Sequence, residues 1–377
     1  MQKDPAASAL ASAALSSDDK TRLATPDGTS RFRARHLTRF ARDFYRAGPA
    51  GLTASSIGIG TYLGDDSDAD DLAYAEAVRH AVASGVNVID SAINYRCQRS
   101  ERAIGRALHG AMLAGEVSRD EVVVCTKGGY IPLEQYPPAT PEGYQGYLRR
   151  EFYARNVMTS QDVVSGGHCL TPGFLRDCLT RSRANLGLDA VDVYYVHNPE
   201  QQLAAVSYDE LLERLRSAFA CLEECVERGE IGVYGCATWQ GLRTEPGARG
   251  HLALADLTAL AREIAGEAHH FRVVQLPINL AMPEAVRSPT QSLPGGHVVP
   301  VLDAARELGL SVVASATLMQ SQLTANLPAP VRELFPALAT DAQRAVSFVR
   351  SLPGVTTALV GMKRLEHVVE NLGAARA

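Results

Sequence analysis

The feature that most restricts the fold is an alternation. From residue 56 onward, short β-branched runs are separated by longer amphipathic segments, and the unit occurs eight times. The pattern predicts strands over 56–61, 86–91, 122–127, 191–198, 231–238, 272–279, 311–316 and 356–362. Helices are predicted over 72–84, 100–114, 172–186, 208–228, 251–267, 299–308, 341–351 and 365–375. Repeated strand–helix units make a parallel sheet, and eight of each predict the α/β class and a closed (β/α)8 barrel, the TIM barrel. A doubly wound open sheet of two lobes is the alternative, but no composition break or flexible linker divides the chain.

A barrel also accounts for the length, because loops at the C-terminal ends of the strands can grow without disturbing the core. The long βα loops are 128–170, 198–207, 240–250, 281–296 and 317–340. In a barrel all five share one face, and that face holds the site. The largest carries Tyr130, Tyr136, Tyr144, Tyr147, Phe152 and Tyr153.

The barrel is expected to occupy residues 46–377, with residues 1–45 a disordered or loosely packed extension. Residues 1 to about 30 are rich in Ala, Ser and Asp, and their only large apolar side chains are Leu10, Leu15 and Leu23, too few to order the segment. Residues 31–46 contain six arginines, with Leu37, Phe40 and Phe44 at helical spacing, which predicts a solvated helix packed on the body by those three. A site for an anionic partner is the other reading of this basic run.

A net charge of -5 gives no general field for nucleic acid, and none is expected as a partner. No apolar run approaches membrane-spanning length, so no membrane association is expected, and the N-terminus lacks the continuous apolar core of a signal peptide. Seven cysteines without a CxxC pair fit reduced thiols and a cytoplasmic setting, and no metal site is expected. Oligomeric state is not readable.

The chemistry gathers at predicted strand ends. The run VNVIDSAINY delivers Asp90 and, five residues later, Tyr95; VVVCTKGG ends on Lys127; VDVYYVHNP ends on His197. A lysine and a histidine that close apolar strands need partners, and Asp90 is the natural one for Lys127. An unperturbed tyrosine titrates at about 10, and a nearby ammonium favours the phenolate, so Lys127 is expected to bring the Tyr95 phenol toward working pH as an acid. Singly each residue has a plain structural reading, such as a satisfied core histidine at 197. Four converging at one barrel mouth make a candidate site.

These residues bring the chain to a family. It resembles the aldo-keto reductases, whose barrel carries an Asp, Tyr, Lys, His tetrad with the first two spaced as in DSAINY, after a glycine-rich first strand like IGIGTYLG. SERAIGRAL, LGLDAVDVYYVH and GMKRLEHVVENL extend the resemblance from about Tyr45 to the end. It implies Tyr95 as general acid, Lys127 as its pKa-lowering neighbour, Asp90 as the carboxylate that holds the lysine, and His197 as the group that orients the carbonyl.

The family binds nicotinamide cofactor without a Rossmann motif, and the glycines Gly58, Gly60 and Gly64 indeed lack GxGxxG spacing. The resemblance implies cofactor contacts from Thr61, Tyr62, Asp90, Thr238, Gln275 and Leu318, with Gln275 meeting the carboxamide. Two positions depart from it. The usual Ser-Asn pair is Ala237 and Thr238, and the aromatic platform under the nicotinamide is replaced by Ser315. Trp239, the only tryptophan, is either a pocket wall or a packing residue. Gly361 allows close backbone approach, and Lys363 and Arg364 ahead of a helix N-terminus suit a phosphate. With His367 and Asn371 facing the adenosine by resemblance, these imply NADP(H), with NAD(H) as the other candidate.

The expectation is therefore an NAD(P)-dependent oxidoreductase exchanging a hydride between NADP(H) and a small carbonyl or alcohol: an aldehyde, ketone or aldose. The alternatives are an NAD-dependent aldose (hemiacetal) dehydrogenase and a cofactor-sensing barrel without turnover, the latter motivated by the two departures.

Overall fold

The computed structural model describes residues 22–376. Eight parallel strands close into a barrel: β1 Ile57–Gly60, β2 Val88–Asp90, β3 Val123–Gly128, β4 Val191–His197, β5 Ile231–Ala237, β6 Phe271–Pro277, β7 Ser311–Ser315 and β8 Val355–Gly361. Each pairs with its successor in the chain, and β8 pairs with β1. The predicted (β/α)8 architecture is the one observed.

Strand β2 is three residues long where the sequence pattern predicts six, and Asn87, the lone polar residue of its apolar run, does other work. Its Oδ1 accepts from Ser55 N at 2.8 Å and its Nδ2 donates to Thr53 O at 2.8 Å. Those partners belong to a hairpin, Tyr45–Ala47 with Thr53–Ser55, that seals the bottom of the barrel. Leu52 and Ala54 of the hairpin pack with the inward-facing Val88, Val123, Val193, Val233 and Val273. On the alternate positions Ile57, Ile89, Val124, Tyr194 and Val196 pack outward with the surrounding helices.

The packed body starts earlier than the composition suggests. Helix α1, Pro26–His36, is capped by Thr25, whose hydroxyl accepts from Gly28 N, and Pro26 stands at its first turn. The expectation of a loose extension to residue 45 is corrected for residues 22–45; residues 1–21 lie outside the described residues. Leu37, Phe40 and Phe44 do not share one helix, since α1 ends at His36 and a single tight turn follows over Leu37–Arg39. Phe32, Phe40 and Phe44 are the buried anchors, with Phe40 and Phe44 stacked at 3.8 Å, while Leu37 is half-buried. Two arginines of the basic run face carboxylates of the body: Arg31 bonds Asp120 at 2.5 Å, and Arg35 bonds Glu121 through both carboxylate oxygens.

The insert after β3 is ordered. It holds a helix, Pro141–Leu148, and its own apolar cluster of Ile131, Tyr147, Leu148, Phe152 and Met158 against Phe174 and Cys178.

The docking of α1 carries a pH signature. Burial pushes the Glu121 carboxyl up, but the Arg35 hydrogen bond and the Ser118 amide outweigh it and leave the group below the ordinary carboxylate value. Asp120 is left low in the same way by Ser118 and Arg31. Unfolded carboxyls take up protons first, so this stabilisation is complete above the ordinary carboxylate pKa of about 4 and is lost as pH falls through the lower folded values. Melting temperature followed from pH 7 to pH 2 should fall over that acid range, and Arg35→Met should flatten that part of the curve. An unchanged acid limb in Arg35→Met would disprove the coupling.

Candidate active site

The site is the top layer of the barrel interior. Asp90 follows Val88 on the inward face of β2, Lys127 follows Val123 and Cys125 on β3, and His197 follows Val193 and Tyr195 on β4. The alternation that fills the barrel with apolar side chains thus delivers a carboxylate, an ammonium and an imidazole to its C-terminal mouth. Lys127 is 1% exposed; its Nζ donates to Asp90 Oδ1 at 2.5 Å and to Ser91 O at 2.7 Å. Gln275, inward on β6, donates from Nε2 to Asp90 Oδ2 at 2.8 Å. Tyr95 lies by the pair, with Lys127 Nζ 5.1 Å from its ring centre and the His197 ring centre 5.9 Å away, edge-on. The structure brings the four predicted residues together.

Burial pushes the Asp90 carboxyl up, opposed by the bonds from Lys127 and Gln275. Burial pulls the Lys127 ammonium down, but Asp90 and Tyr95 outweigh it and leave it above its ordinary value. One expectation is corrected here. The Tyr95 phenol is raised, because burial exceeds the downward pull of Lys127 and Asp90 adds to it. The phenol is therefore protonated at neutral pH, ready to give a proton, and the ammonium beneath it acts on the phenolate left afterwards. His197 is held well below its ordinary value by burial and by Lys127, so its ring is neutral.

Tyr95 is aimed by a backbone feature that no sequence pattern announced. Arg96, Cys97 and Gln98 take successive φ values of 47°, 51° and 71°, a left-handed stretch with no glycine. Buried Arg96 holds it, donating to Asp65 O, Ser67 O and Asp71 Oδ1, and Gln98 donates to Leu133 O. Helix α2, Asp68–Ala83, supplies Asp71, and helix α3, Arg99–Leu113, starts where the stretch ends.

A cavity of about 430 Å³ opens above the tetrad. Of the residues proposed for cofactor contact, Thr61, Tyr62, Asp90, Thr238, Gln275, Leu318 and Gly361 line it. Lys363, Arg364, His367 and Asn371 lie outside it. Lys363 is bonded to both Asp70 oxygens at 2.7 and 2.8 Å, Arg364 contacts the His367 ring at 2.6 Å, and Asn371 is buried. The hydroxyls of Thr238 and of Thr317, a residue with no sequence signal, are buried without a partner among the described residues and belong to the cavity wall. Tyr62 and Trp239, 55% and 45% exposed, form its aromatic rim. Trp239 is thus a wall, and Glu200 fixes the start of its loop by accepting from the amides of Trp239, Gln240 and Gly241.

The chain belongs to the aldo/keto reductase family, whose model matches residues 56–244. It is 29% identical over 193 residues to a D-threo-aldose 1-dehydrogenase from a Pseudomonas species, covering 50% of this chain and 51% of that one. It is 25% identical over 195 residues to an NADH-specific methylglyoxal reductase from Escherichia coli, covering 50% of each. The chain spans about half the length of these two relatives. A crystal structure of an aldo/keto reductase from Klebsiella pneumoniae in complex with NADP and acetate superposes with a TM-score of 0.58 at 20% identity, over 88% of this chain and 89% of that one, a likeness of fold.

Because Lys127 and Asp90 are buried together, removing one strands the other. Lys127→Met should cost about 3–5 kcal/mol of stability in urea unfolding, the usual penalty for breaking a buried ion pair. Asp90→Asn, which retains an acceptor for the ammonium, should cost less. A Lys127→Met protein within about 0.5 kcal/mol of wild type would show that the carboxylate finds another partner or a proton at little cost.

Proposed function

We propose that this chain is an oxidoreductase that exchanges a hydride between a nicotinamide cofactor and a small carbonyl or alcohol, with Tyr95 as the proton donor. The observation that carries the reading is the Asp90–Lys127 pair bonded at 2.5 Å beneath a phenol, with a neutral imidazole opposite, all under one cavity. Residues of the cavity fit a nicotinamide: the unpartnered hydroxyls of Thr238 and Thr317 are placed for its polar groups, and Gly361 leaves the rim free of a side chain. The Asp90 bond uses one N–H of the Gln275 amide, so Gln275, which also lines the cavity, and Thr238 are both left for the carboxamide. A nicotinamide bound there supplies or accepts the hydride.

The chain's own part is positioning and the proton. His197, neutral, orients the substrate oxygen by a hydrogen bond. Tyr95 gives its proton to that oxygen as the carbonyl is reduced, and Lys127 stabilises the phenolate at close range in a dry site. Oxidation of an alcohol runs the same proton backwards. Tyr95→Phe should therefore bind cofactor as wild type does, by fluorescence titration, and lose on the order of 10² to 10⁴ in turnover. Near wild-type turnover would remove Tyr95 from this role.

A second reading, oxidation of an aldose hemiacetal, is favoured by the similarity to the aldose dehydrogenase and by the Tyr62 and Trp239 rings, which suit the apolar face of a sugar. Aldehydes, ketones and aldoses assayed in both directions with both cofactors separate the two.

For the cofactor we propose NADP(H), with Lys363 and Arg364 meeting the 2'-phosphate and NAD(H) accepted more weakly. Asp70 competes for Lys363. Replacing both cations with Ala should raise the NADPH dissociation constant about ten- to a hundred-fold and leave NADH nearly unchanged, whereas Asp70→Asn should tighten NADPH. Equal losses for the two cofactors would make the cations ordinary surface charges.

A further inference from the structure

The long insert after β3 reaches the catalytic layer through Tyr130 and His168, and the bonds around His168 fix its tautomer. Arg214 Nη1 donates to Gln202 Oε1 at 2.5 Å. That makes the other end of the Gln202 amide, Nε2, the donor to His168 Nδ1 at 2.7 Å. A ring nitrogen that accepts carries no proton, so His168 is protonated on Nε2, which donates to the main-chain carbonyl of His197 at 2.7 Å. Burial holds His168 down to about 4, so this neutral tautomer persists at neutral pH.

Gly129 leaves the gap through which the bond is made. Its φ is +145°, and a Cβ there would stand 2.8 Å from His197 O and 3.2 Å from His168 Nε2. His197 itself needs such a support. Its Nδ1 has no partner among the described residues, and the next residue, Asn198, makes a last ladder bond from its N–H to Ala237 O at 2.6 Å and turns left-handed at φ 45°, so the regular strand ends at His197. Tyr130 completes the arrangement, with its ring edge-on to both imidazoles at 4.9 Å and its hydroxyl accepting from Asn198 Nδ2 at 3.0 Å.

We propose that His168, locked by Gln202 and Arg214, is a positioning residue that holds His197 in register with Tyr95 and so couples the insert to the chemistry. This rests on the oxidoreductase reading for its kinetic consequence but not for its structural one. It acts through the His197 main chain; His168 does not line the cavity.

The test compares His168→Phe, His168→Gln and Arg214→Met, with turnover, cofactor dissociation constant, melting temperature and the ring signals of labelled histidine in NMR. His168→Phe should lower kcat about ten- to a hundred-fold, with cofactor affinity within about twofold of wild type and the His197 signals displaced. His168→Gln, whose amide retains a donor, should recover most of the loss, and Arg214→Met should show a smaller loss of the same kind. A kcat within about twofold of wild type in His168→Phe, with His197 signals unmoved, overturns the proposal. So does a loss shared by His168→Gln that follows melting temperature. Should His168→Phe not fold, Arg214→Met decides by the same readouts. If wild type turns over no carbonyl or alcohol, the oxidoreductase reading fails, and the His197 signals alone decide: displaced in the variants supports the positioning role, unmoved refutes it.

Discussion

A charged lysine stripped of water costs several kcal/mol unless its new partners replace the solvent it lost. Lys127 meets that condition through Asp90 and the Ser91 carbonyl, and Asp90 in turn through Gln275 from the opposite side of the barrel. Much else in the structure serves this pair. The hairpin closes the barrel below it, the apolar layers of Val88, Val123 and Val193 keep water from reaching it underneath, and the closed ring of strands sets the distance between β2, β3 and β6. The same dryness pushes the Tyr95 phenol up and the His197 imidazole down, so one piece of packing prepares a proton donor and a neutral hydrogen-bonding ring together.

Strand periodicity and chemistry meet in one rule. Inward positions recur every second residue, and β2, β3 and β4 each end an inward series on a reactive side chain. A one-residue slip of β4 would send His197 outward among the helices and bring its neighbour inward, so the register that fills the core is also the register that builds the site.

That is why so much was legible. Eight apolar runs announced eight strands, and strand ends announced Asp90, Lys127 and His197, because both depend on short-range pattern. The packing of residues 22–45 was not legible, since their order comes from Phe32, Phe40 and Phe44 meeting the body and from Asp120 and Glu121, which are distant in sequence. The downward pull of Lys127 on Tyr95 is legible in the sequence, and the burial that outweighs it is not. Gln202 and His168 carried no signal either, being ordinary polar residues whose meaning arises only when an insert folds back on a strand end. Lys363 is legible as a cation, but its engagement with Asp70 joins the last βα loop to the first turn of helix α2 and has no local trace.

The left-handed stretch from Arg96 to Cys97 to Gln98 has a further meaning for how such a chain can change over generations. Non-glycine residues held there cost on the order of 1–3 kcal/mol each, and the cost is met by the buried bonds of Arg96 and Gln98. Glycine would relieve the strain at Cys97 and leave those bonds in place, whereas at Arg96 or Gln98 it would delete them, and at Cys97 it would also give the segment that carries Tyr95 freedom it does not now have. Selection for heat resistance and selection for turnover therefore pull in opposite directions at Cys97, and a lineage under the first pressure alone would be drawn there toward a more durable barrel with a worse-aimed phenol.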